Sequence, residues 1–563
     1  MSRVSLLLVA CVIGACRGGE ADPLDFAAAR AKAAARPSTT PSAAMPSSSM
    51  PKAMGTPTIG QRPRKTEFIQ KKSLIAPSHS SSVGTNLSEV SEYATERPFA
   101  DAFKQSRGWI STDGVAWDDG RPVAVDARGW VKSLASGQRA RALVYWGEDL
   151  SFPAGTYQVS WEGTGTLDFW PQGGQSTSSK KGSHALQADP KNGGIAVTIV
   201  MTDPTDPIRN IRVLIPDAKP DARFNPVFLE GLKGYGTLRF MDWLQTNRST
   251  IVTPADRPTV DDARFTTKGV AVEVIFELCN VAGTDCWINV GHTWDDALVE
   301  EVAAIAKRIL HPQRRLYVEF SNEVWNGIFP QADVARKRSV LSGLSDDAFE
   351  AQMRWHARRT TQVHALFDKV YGVDNARVVR VLGGWAANAW SSGVMLDQVK
   401  KDGAVVDALA IAPYFGNSFG EPEQRGLVQG MALKELMSAL EGAVDESLQW
   451  VAEHKKIADD FGVQLIAYEG GQHLVGVGPV ADDPIVNRLF DAANESPRMR
   501  ELYLRALTGW KNAGGGVFVH FTSVMRPSRY GRWGARSSME QSRALAPKYD
   551  ALMTFIETTP RWY

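Results

Sequence analysis

The stretch LYVEFSNEVWNGIF (residues 316–329) joins a buried strand to a polar and aromatic ending. Its first five residues are mostly apolar, which is typical of a strand covered on both faces, as in a parallel sheet. Asn322 and Glu323 follow directly, and Trp325 stands just beyond them. A hydrophobic core does not favour this cluster, so it predicts a functional site at the C-terminal end of a parallel strand.

Similar apolar runs recur after residue 207 and alternate with longer amphipathic stretches. They are IRVLI, TLRFMDW, CWINVGH, RVVRVLGG, VDALAIAPYF, VQLIAYEGG and GVFVHFTS, which with the first stretch make eight. The pattern predicts an α/β fold, an eight-stranded β/α (TIM) barrel over residues 208–563, with its active site at the C-terminal strand ends. A doubly wound nucleotide-binding sheet is disfavoured, because neither G-x-G-x-x-G nor a P-loop follows an early strand.

A second carboxylate occupies a matching place on another predicted strand. Glu469 follows the apolar run of VQLIAYEGG, and the two glycines behind it allow a sharp turn and a close approach to a ligand. Paired carboxylates at one barrel mouth are what glycoside hydrolysis requires, since one donates a proton and the other meets the developing oxocarbenium ion. The alternative is that Glu323 and Glu469 are structural ion-pair partners at the rim.

The motifs SNEVWN and YEGG resemble the clan A glycoside hydrolases, retaining barrel enzymes with Asn-Glu after the fourth strand and a nucleophilic Glu after the seventh. The resemblance implies that Glu323 is the acid/base, that Glu469 is the nucleophile and that Asn322 binds the sugar 2-hydroxyl. It implies cleavage of a β-linked polysaccharide or oligosaccharide by double displacement, with no cofactor and no metal. At Ala412 the chain departs from the many members that carry His two residues before Tyr414, so no particular family follows.

The same resemblance suggests further site residues. Arg239 matches the arginine that keeps the nucleophile ionised, and Tyr414 matches a group that hydrogen-bonds it. His292 ends the third predicted strand, and Trp533 follows the eighth as a candidate sugar platform. Other indoles near predicted strand ends are either packing residues or platforms for sugar rings: Trp243, Trp294, Trp325, Trp385 and Trp390.

Two rival functions use the same fold. A non-catalytic envelope protein that binds polysaccharide would keep the cleft without hydrolysis, although it would not need an ionised nucleophile. A transglycosylase would use the same glutamates and pass the sugar to a hydroxyl group. The balance of 63 basic and 62 acidic residues argues against a nucleic-acid partner.

The region before the predicted barrel has a different hydrophobic pattern. Residues 98–207 contain short alternating runs such as TYQVSWEG and IAVTIVM, which predict a β-sandwich domain preceding the barrel. Six tryptophans from Trp109 to Trp170 lie in it. Either most of them belong to its core, or a few of them are platforms for sugar rings.

The N-terminus predicts export. Residues 1–15 have a basic start and a short apolar segment, as in a signal peptide, and VIGAC resembles a lipobox that implies lipidation of Cys16. Residues 16–97, rich in Ala, Ser and Pro, predict a lipid-anchored flexible linker. We therefore expect a bacterial envelope protein facing the periplasm or cell surface, with secretion without lipid as the alternative. Cys279 and Cys286 are either a disulfide or two separate buried thiols.

Overall fold

The centre of the molecule is a closed barrel of eight parallel strands. The computed structural model describes residues 74–148, 150–171 and 173–563, so the predicted signal segment, Cys16 and most of the predicted linker lie outside the described residues. Numbered with all strands in chain order, the barrel strands are β1 (Val83–Asn86), β12 (Thr237–Arg239), β13 (Asp285–Val290), β14 (Leu316–Phe320), β15 (Val378–Gly383), β16 (Ala408–Ile411), β18 (Gln464–Ala467) and β20 (Phe518–His520). The TIM barrel expected from the sequence is confirmed.

The first barrel strand is not the one predicted. β1 lies within the predicted linker and pairs with β12 on one side and β20 on the other. The run IRVLI instead belongs to an antiparallel sheet, because Ile211 and Val213 are buried in the core of that region. Gly84 in β1 is required by close packing, since a Cβ there would lie 2.5 Å from the carbonyl oxygen of Thr237. The predicted boundaries 16–97, 98–207 and 208–563 are therefore wrong at the barrel start.

Most of the chain between β1 and β12 forms a unit built mainly of β-strands, closed at its base by a bridge between Phe99 and Phe224. We call residues 99–224 the inserted β-unit. Its strands are β2 (Ile110–Thr112), β3 (Ala124–Val125), β4 (Val131–Ser133), β5 (Arg139–Tyr145), β6 (Gly155–Glu162), β7 (Gly165–Trp170), β8 (Gln175–Ser178), β9 (Lys181–Ala188), β10 (Ile195–Thr202) and β11 (Arg209–Leu214). The two main sheets have the strand orders β2-β5-β10-β7-β8 and β11-β6-β9 and share one hydrophobic core. This unit is inserted between barrel strands rather than placed before the barrel.

Helices cover the outside of the barrel. They are α1 (Pro226–Gly231), α2 (Val272–Ala282), α3 (Asp296–Ile309), α4 (Pro330–Val340), α5 (Ala348–Tyr371), α6 (Ala389–Lys401), α7 (Arg425–Gln429), α8 (Leu433–Phe461), α9 (Pro484–Glu495), α10 (Pro497–Asn512) and α11 (Pro547–Thr558). A two-residue pair, β17 (Tyr414–Phe415) and β19 (Gly471–Gln472), extends beyond β16 and β18. Among the residues described, no helix is long and apolar enough to cross a membrane.

The two cysteines of the barrel do not form the possible disulfide. Cys279 in α2 and Cys286 in β13 are both free and buried in the barrel core. Burial raises the pKa of the Cys286 thiol, which keeps it protonated and unreactive. Both side chains therefore act as small hydrophobic groups in the contact between helix and sheet.

Candidate active site

Glu323 and Glu469 both lie just beyond the C-terminal ends of barrel strands, β14 and β18. Their exposed fractions are 8% and 2%, so each carboxyl group is nearly removed from water. The backbone turns sharply after β14, with φ of 60° at Ser321 and 42° at Glu323. Non-glycine residues rarely adopt this left-handed conformation, and it is concentrated at functional sites.

Two side chains hold Glu469. The Arg239 guanidinium donates to its Oε1 at 2.8 Å, and the Tyr414 hydroxyl donates to its Oε2 at 2.9 Å. Burial raises the pKa of Glu469, while the charge of Arg239 and both hydrogen bonds oppose this rise. These contacts favour the ionised form, because both donors bind a carboxylate more strongly than a carboxylic acid.

Arg239 is a fully buried hub at the end of β12. Besides Glu469, it donates twice to Glu319, at 3.0 and 3.1 Å, and once each to Asn86 and Asn322. Its guanidinium therefore has a fixed orientation, and Glu319 supplies part of the negative charge that balances it. Glu319 also accepts a hydrogen bond from Trp287 Nε1 at 2.8 Å, so its role is to hold Arg239 in position.

Glu323 has a different environment. Its Oε2 accepts from Asn326 Nδ2 at 2.9 Å, and its Oε1 lies 3.4 Å from the Tyr468 hydroxyl. Burial, and next the charge on Glu469, raise the pKa of Glu323 to about 8. No guanidinium hydrogen-bonds Glu323 directly in the described structure, whereas one does bind Glu469. When the pair carries one proton, that proton therefore belongs on Glu323.

Asn322 is oriented by its neighbours. Its Oδ1 accepts from Arg239 at 2.9 Å, and its Nδ2 donates to Asn247 Oδ1 at 3.2 Å. Gln331 Nε2 donates to both Asn247 Oδ1 and the Asn322 carbonyl oxygen, each at 2.7 Å. Sequence reasoning missed Asn247, in the 3₁₀ helix Thr246–Arg248, and Gln331, in α4, because neither belongs to a recognised motif. It also missed Asn86, because that residue was assigned to the linker.

Two predicted aromatic site residues are buried. Trp243 is 1% exposed and packs between Phe99 and Phe228 in the core, so its assignment as a substrate-binding residue is wrong. Trp533 is also 1% exposed, and its ring meets that of Tyr414 edge-on, with the centroids 5.7 Å apart. It therefore supports the tyrosine that holds Glu469, and it does not offer an open face to a sugar.

Trp325 is placed as predicted, beside Glu323 and only partly buried. Its ring stacks on Trp385, with centroids 4.9 Å apart and an interplanar angle of 6°. Phe349 meets Trp385 edge-on and stacks on Trp390, which is 53% exposed. These four rings form a continuous aromatic row from the position of Glu323 towards solvent.

His292 follows β13 and is half-buried. Burial lowers the pKa of its imidazole, so the ring is neutral near pH 7. Its Nδ1 is buried and has no hydrogen-bond partner within the described residues. Asp242, which sequence reasoning did not select, lies beyond β12, and burial raises the pKa of its carboxyl group to about 8.

Comparisons with known proteins give structural similarity only. No family model and no curated protein matches the sequence. A 4-O-α-L-rhamnosyl-β-D-glucuronidase from Fusarium oxysporum is 12% identical, with a TM-score of 0.37 and coverage of 59% of this chain and 64% of that chain. A family 5 xyloglucanase from Paenibacillus pabuli is 12% identical, with a TM-score of 0.36 and coverages of 61% and 93%. A family 51 α-L-arabinofuranosidase from Bifidobacterium longum is 11% identical, with a TM-score of 0.37 and coverages of 61% and 68%.

All three neighbours are named as glycosidases, and this chain spans less than two thirds of the glucuronidase. With TM-scores below 0.5, these similarities add nothing to the barrel topology already described. Within the described residues, no group of three or more His, Cys, Asp or Glu side chains is arranged to hold a metal ion.

Proposed function

We propose that this chain is a retaining glycoside hydrolase that cleaves a β-linked polysaccharide or oligosaccharide. The observation that carries the proposal is the contrast between two buried carboxyl groups at one barrel mouth. Glu469 accepts hydrogen bonds from Arg239 and Tyr414, whereas burial and the charge of Glu469 raise the pKa of Glu323 to about 8. A protein that only binds glycans has no need for a carboxylate held ionised beside a carboxylic acid.

In the first step, Glu469 attacks the anomeric carbon while Glu323 gives its proton to the leaving glycosidic oxygen. The C–O bond to the leaving sugar breaks as the bond to Glu469 Oε forms. Arg239 keeps the attacking carboxylate ionised and fixed in direction. Arg239 and Asn247 orient the Asn322 amide, which donates its remaining Nδ2 hydrogen to the 2-hydroxyl of the reacting sugar.

In the second step, Glu323 accepts a proton from water, and the hydroxide released attacks the anomeric carbon and displaces Glu469. The pKa of Glu323 must fall between the two steps for the same group to act as acid and then as base. This follows because the glycosyl ester on Glu469 removes a negative charge that raises the pKa of Glu323.

We assign the aromatic row beside Glu323 to the side of the cleft that binds the leaving group of the substrate. A proton donor must lie next to the leaving oxygen, so residues that extend outwards from Glu323 meet the part of the substrate that departs. Trp325 and Trp385 offer stacked indole surface there, and Trp390 continues it to solvent. Sugar rings with apolar faces suit such surfaces.

Kinetics of two variants test the proposal. The purified protein is first screened on β-glucans, mannans, xylans and galactans with product analysis, and aryl glycosides of the released sugar then serve as activated substrates. We expect Glu469→Ala to lose turnover on all of them. We expect Glu323→Ala to be glycosylated by the aryl glycoside, to stall, and to recover turnover with azide, which gives a β-glycosyl azide.

Glu423→Ala provides a matched control, because Glu423 is an exposed carboxylate in the 3₁₀ helix Pro422–Gln424, which follows β17 on the same face of the barrel. It should leave activity unchanged. Near-normal turnover in Glu469→Ala, or a wild-type product of inverted configuration, would contradict the assignment. Transfer of the sugar mainly to carbohydrate acceptors, rather than to water, would identify a transglycosylase instead.

We propose that Cys16 carries lipid and anchors the protein to the bacterial envelope, and that the inserted β-unit is a β-sandwich. If Cys16→Ser fractionates with membranes like the wild-type protein, the anchor is refuted.

A further inference from the structure

Three indoles of the inserted β-unit gather at one end of its five-stranded sheet. Trp146 directly follows β5 and Trp170 ends β7, and β10 lies between these strands, with Ile195 paired to Tyr145 and Ala196 paired to Trp170. The Trp117 ring lies 5.3 Å from the Trp146 ring. We call Trp117, Trp146 and Trp170 the tryptophan row.

Two members of the tryptophan row are open to solvent. Trp117 is 50% exposed and Trp170 is 52% exposed, while Trp130 and Trp161 of the same unit are only 5% and 2% exposed. Of the six indoles of this region, two therefore belong to the core and two to the surface, while Trp109 and Trp146 are half-buried. Large exposed aromatic side chains that cluster on a soluble surface mark a binding site.

The local backbone accommodates the row. A Cβ at Gly194 would lie 2.6 Å from a ring atom of Trp146, and a Cβ at Gly193 would lie 3.5 Å from Trp170 Nε1. Side chains at these two positions would crowd the space between the indoles. Because Gly193 and Gly194 have no side chains, the surface between Trp146 and Trp170 stays open.

A cation completes the surface. The Arg141 guanidinium lies 4.7 Å from the Trp117 ring centroid, and Nη1 donates to the Trp117 carbonyl oxygen at 3.4 Å. Arg141 forms no ion pair among the described residues, so its other N–H groups remain available for oxygen atoms of a ligand. Contact with Arg141 and Trp146 also holds Trp117 in place, which reduces the entropy lost on binding.

The tryptophan row adjoins the catalytic face of the barrel. The backbone N–H of Trp146 donates to the Glu92 carbonyl oxygen at 2.9 Å, and the Arg526 guanidinium donates to the Glu148 carbonyl oxygen. Glu92 and Arg526 belong to the loops after β1 and β20, at the end of the barrel where Glu323 and Glu469 lie. From Asn86, which binds Arg239, to Glu92 is six residues, a span of at most about 20 Å.

We propose that the tryptophan row is a second glycan-binding site, which holds a distant part of the same polysaccharide chain that the barrel cleaves. The proposal rests on the glycosidase function for the choice of ligand. Flat indoles with one guanidinium suit a neutral or acidic sugar chain, because apolar ring faces stack on indole and hydroxyl or carboxylate oxygens accept from Arg141. The tryptophan row lies outside the catalytic cleft, so it should strengthen the binding only of substrates long enough to reach both sites.

Binding without turnover gives the first test. Trp117→Ala/Trp170→Ala is made in a Glu469→Ala protein, and its migration is compared in gels cast with barley β-glucan, xyloglucan, glucomannan or xylan. For at least one polysaccharide, we expect the double variant to bind about tenfold more weakly than the Glu469→Ala protein alone. Val373→Ala is the matched control, because Val373 is 97% exposed and lies between α5 and β15, at the opposite end of the barrel.

Kinetics in the active enzyme give the second test. Trp117→Ala/Trp170→Ala should lower kcat/KM on the cleaved polysaccharide and leave kcat/KM on an aryl glycoside unchanged, with an unaltered Tm. Equal migration of the double variant and its parent, or no binding of the parent to any of the four polysaccharides, would overturn the proposal. Loss of polysaccharide binding in a protein that hydrolyses no glycan would support the tryptophan row and refute the glycosidase function, so the two failures are distinguishable.

Discussion

Replacing Tyr414 by Phe removes one hydroxyl group and with it the 2.9 Å hydrogen bond to Glu469 Oε2. This bond favours the ionised carboxylate, so its loss raises the pKa of Glu469. A hydrogen bond to a charged group contributes about 1.5 to 3 kcal/mol. At pH values where Glu469 is largely protonated, kcat/KM should therefore fall by about 10- to 150-fold. Near the optimum the loss should be much smaller, because Glu469 is ionised there in both proteins.

Tyr468→Phe is the matched control. The Tyr468 hydroxyl lies 3.4 Å from Glu323 Oε1 and lowers the pKa of that group, so its removal acts on the acid/base rather than on the nucleophile. Glu323 must be protonated in the first step, and activity therefore declines as pH rises through its pKa of about 8. Tyr414→Phe should move the acidic limb of the profile to higher pH, and Tyr468→Phe should move only the basic limb, also upwards.

The assay is kcat/KM against pH on an unactivated oligosaccharide, since a good leaving group would conceal the need for the acid. Equal effects of the two substitutions on the acidic limb would refute the assignment of Glu469 as the group held by Tyr414. An acidic limb that does not move in Tyr414→Phe would refute it equally.

Three further outcomes follow from the structure. Arg239→Met should lower the free energy of unfolding, measured by urea denaturation, by about 3 to 5 kcal/mol, because it leaves buried carboxylates without their cation. Loss of the exposed Arg505–Asp445 ion pair should lower it by less than about 1 kcal/mol, and equal losses in the two variants would contradict this expectation. Trp385→Ala should lower kcat/KM on an oligosaccharide but leave the hydrolysis rate of an accumulated glycosyl-enzyme unchanged, and a slower second step would remove Trp385 from the leaving-group side. Peptide mapping without reductant should find Cys279 and Cys286 alkylated after unfolding, and a linked peptide would contradict two free thiols.

Most of the barrel was predictable from sequence, because seven of its strands are apolar runs followed by polar or glycine-rich turns. β1 was not predictable in this way. Its four residues, VGTN, include only one large apolar side chain, Val83. Thr85 and Asn86 instead hydrogen-bond polar groups of neighbouring barrel strands. Ile211 and Val213 give a stronger apolar signal, although they belong to the antiparallel sheet of the inserted β-unit.

The site was predictable where chemistry requires a particular side chain at a strand end. Glu323, Glu469, Arg239 and Tyr414 lie together as the motifs indicated. The direction in which an indole points is not encoded in local spacing. Trp243 turns into the core because Phe99 and Phe228 enclose it, and no nearby pattern distinguishes it from the partly exposed Trp325.

The assignment of the nucleophile is tested most directly by trapping the covalent intermediate. A 2-deoxy-2-fluoro glycoside of the released sugar, with an activated leaving group, destabilises both transition states but still allows the faster first step to proceed. We expect stoichiometric inactivation, one added sugar per chain by mass spectrometry, and the label on the peptide that contains Glu469. Labelling of Glu323 or of another residue, or inactivation without any bound sugar, would contradict the account.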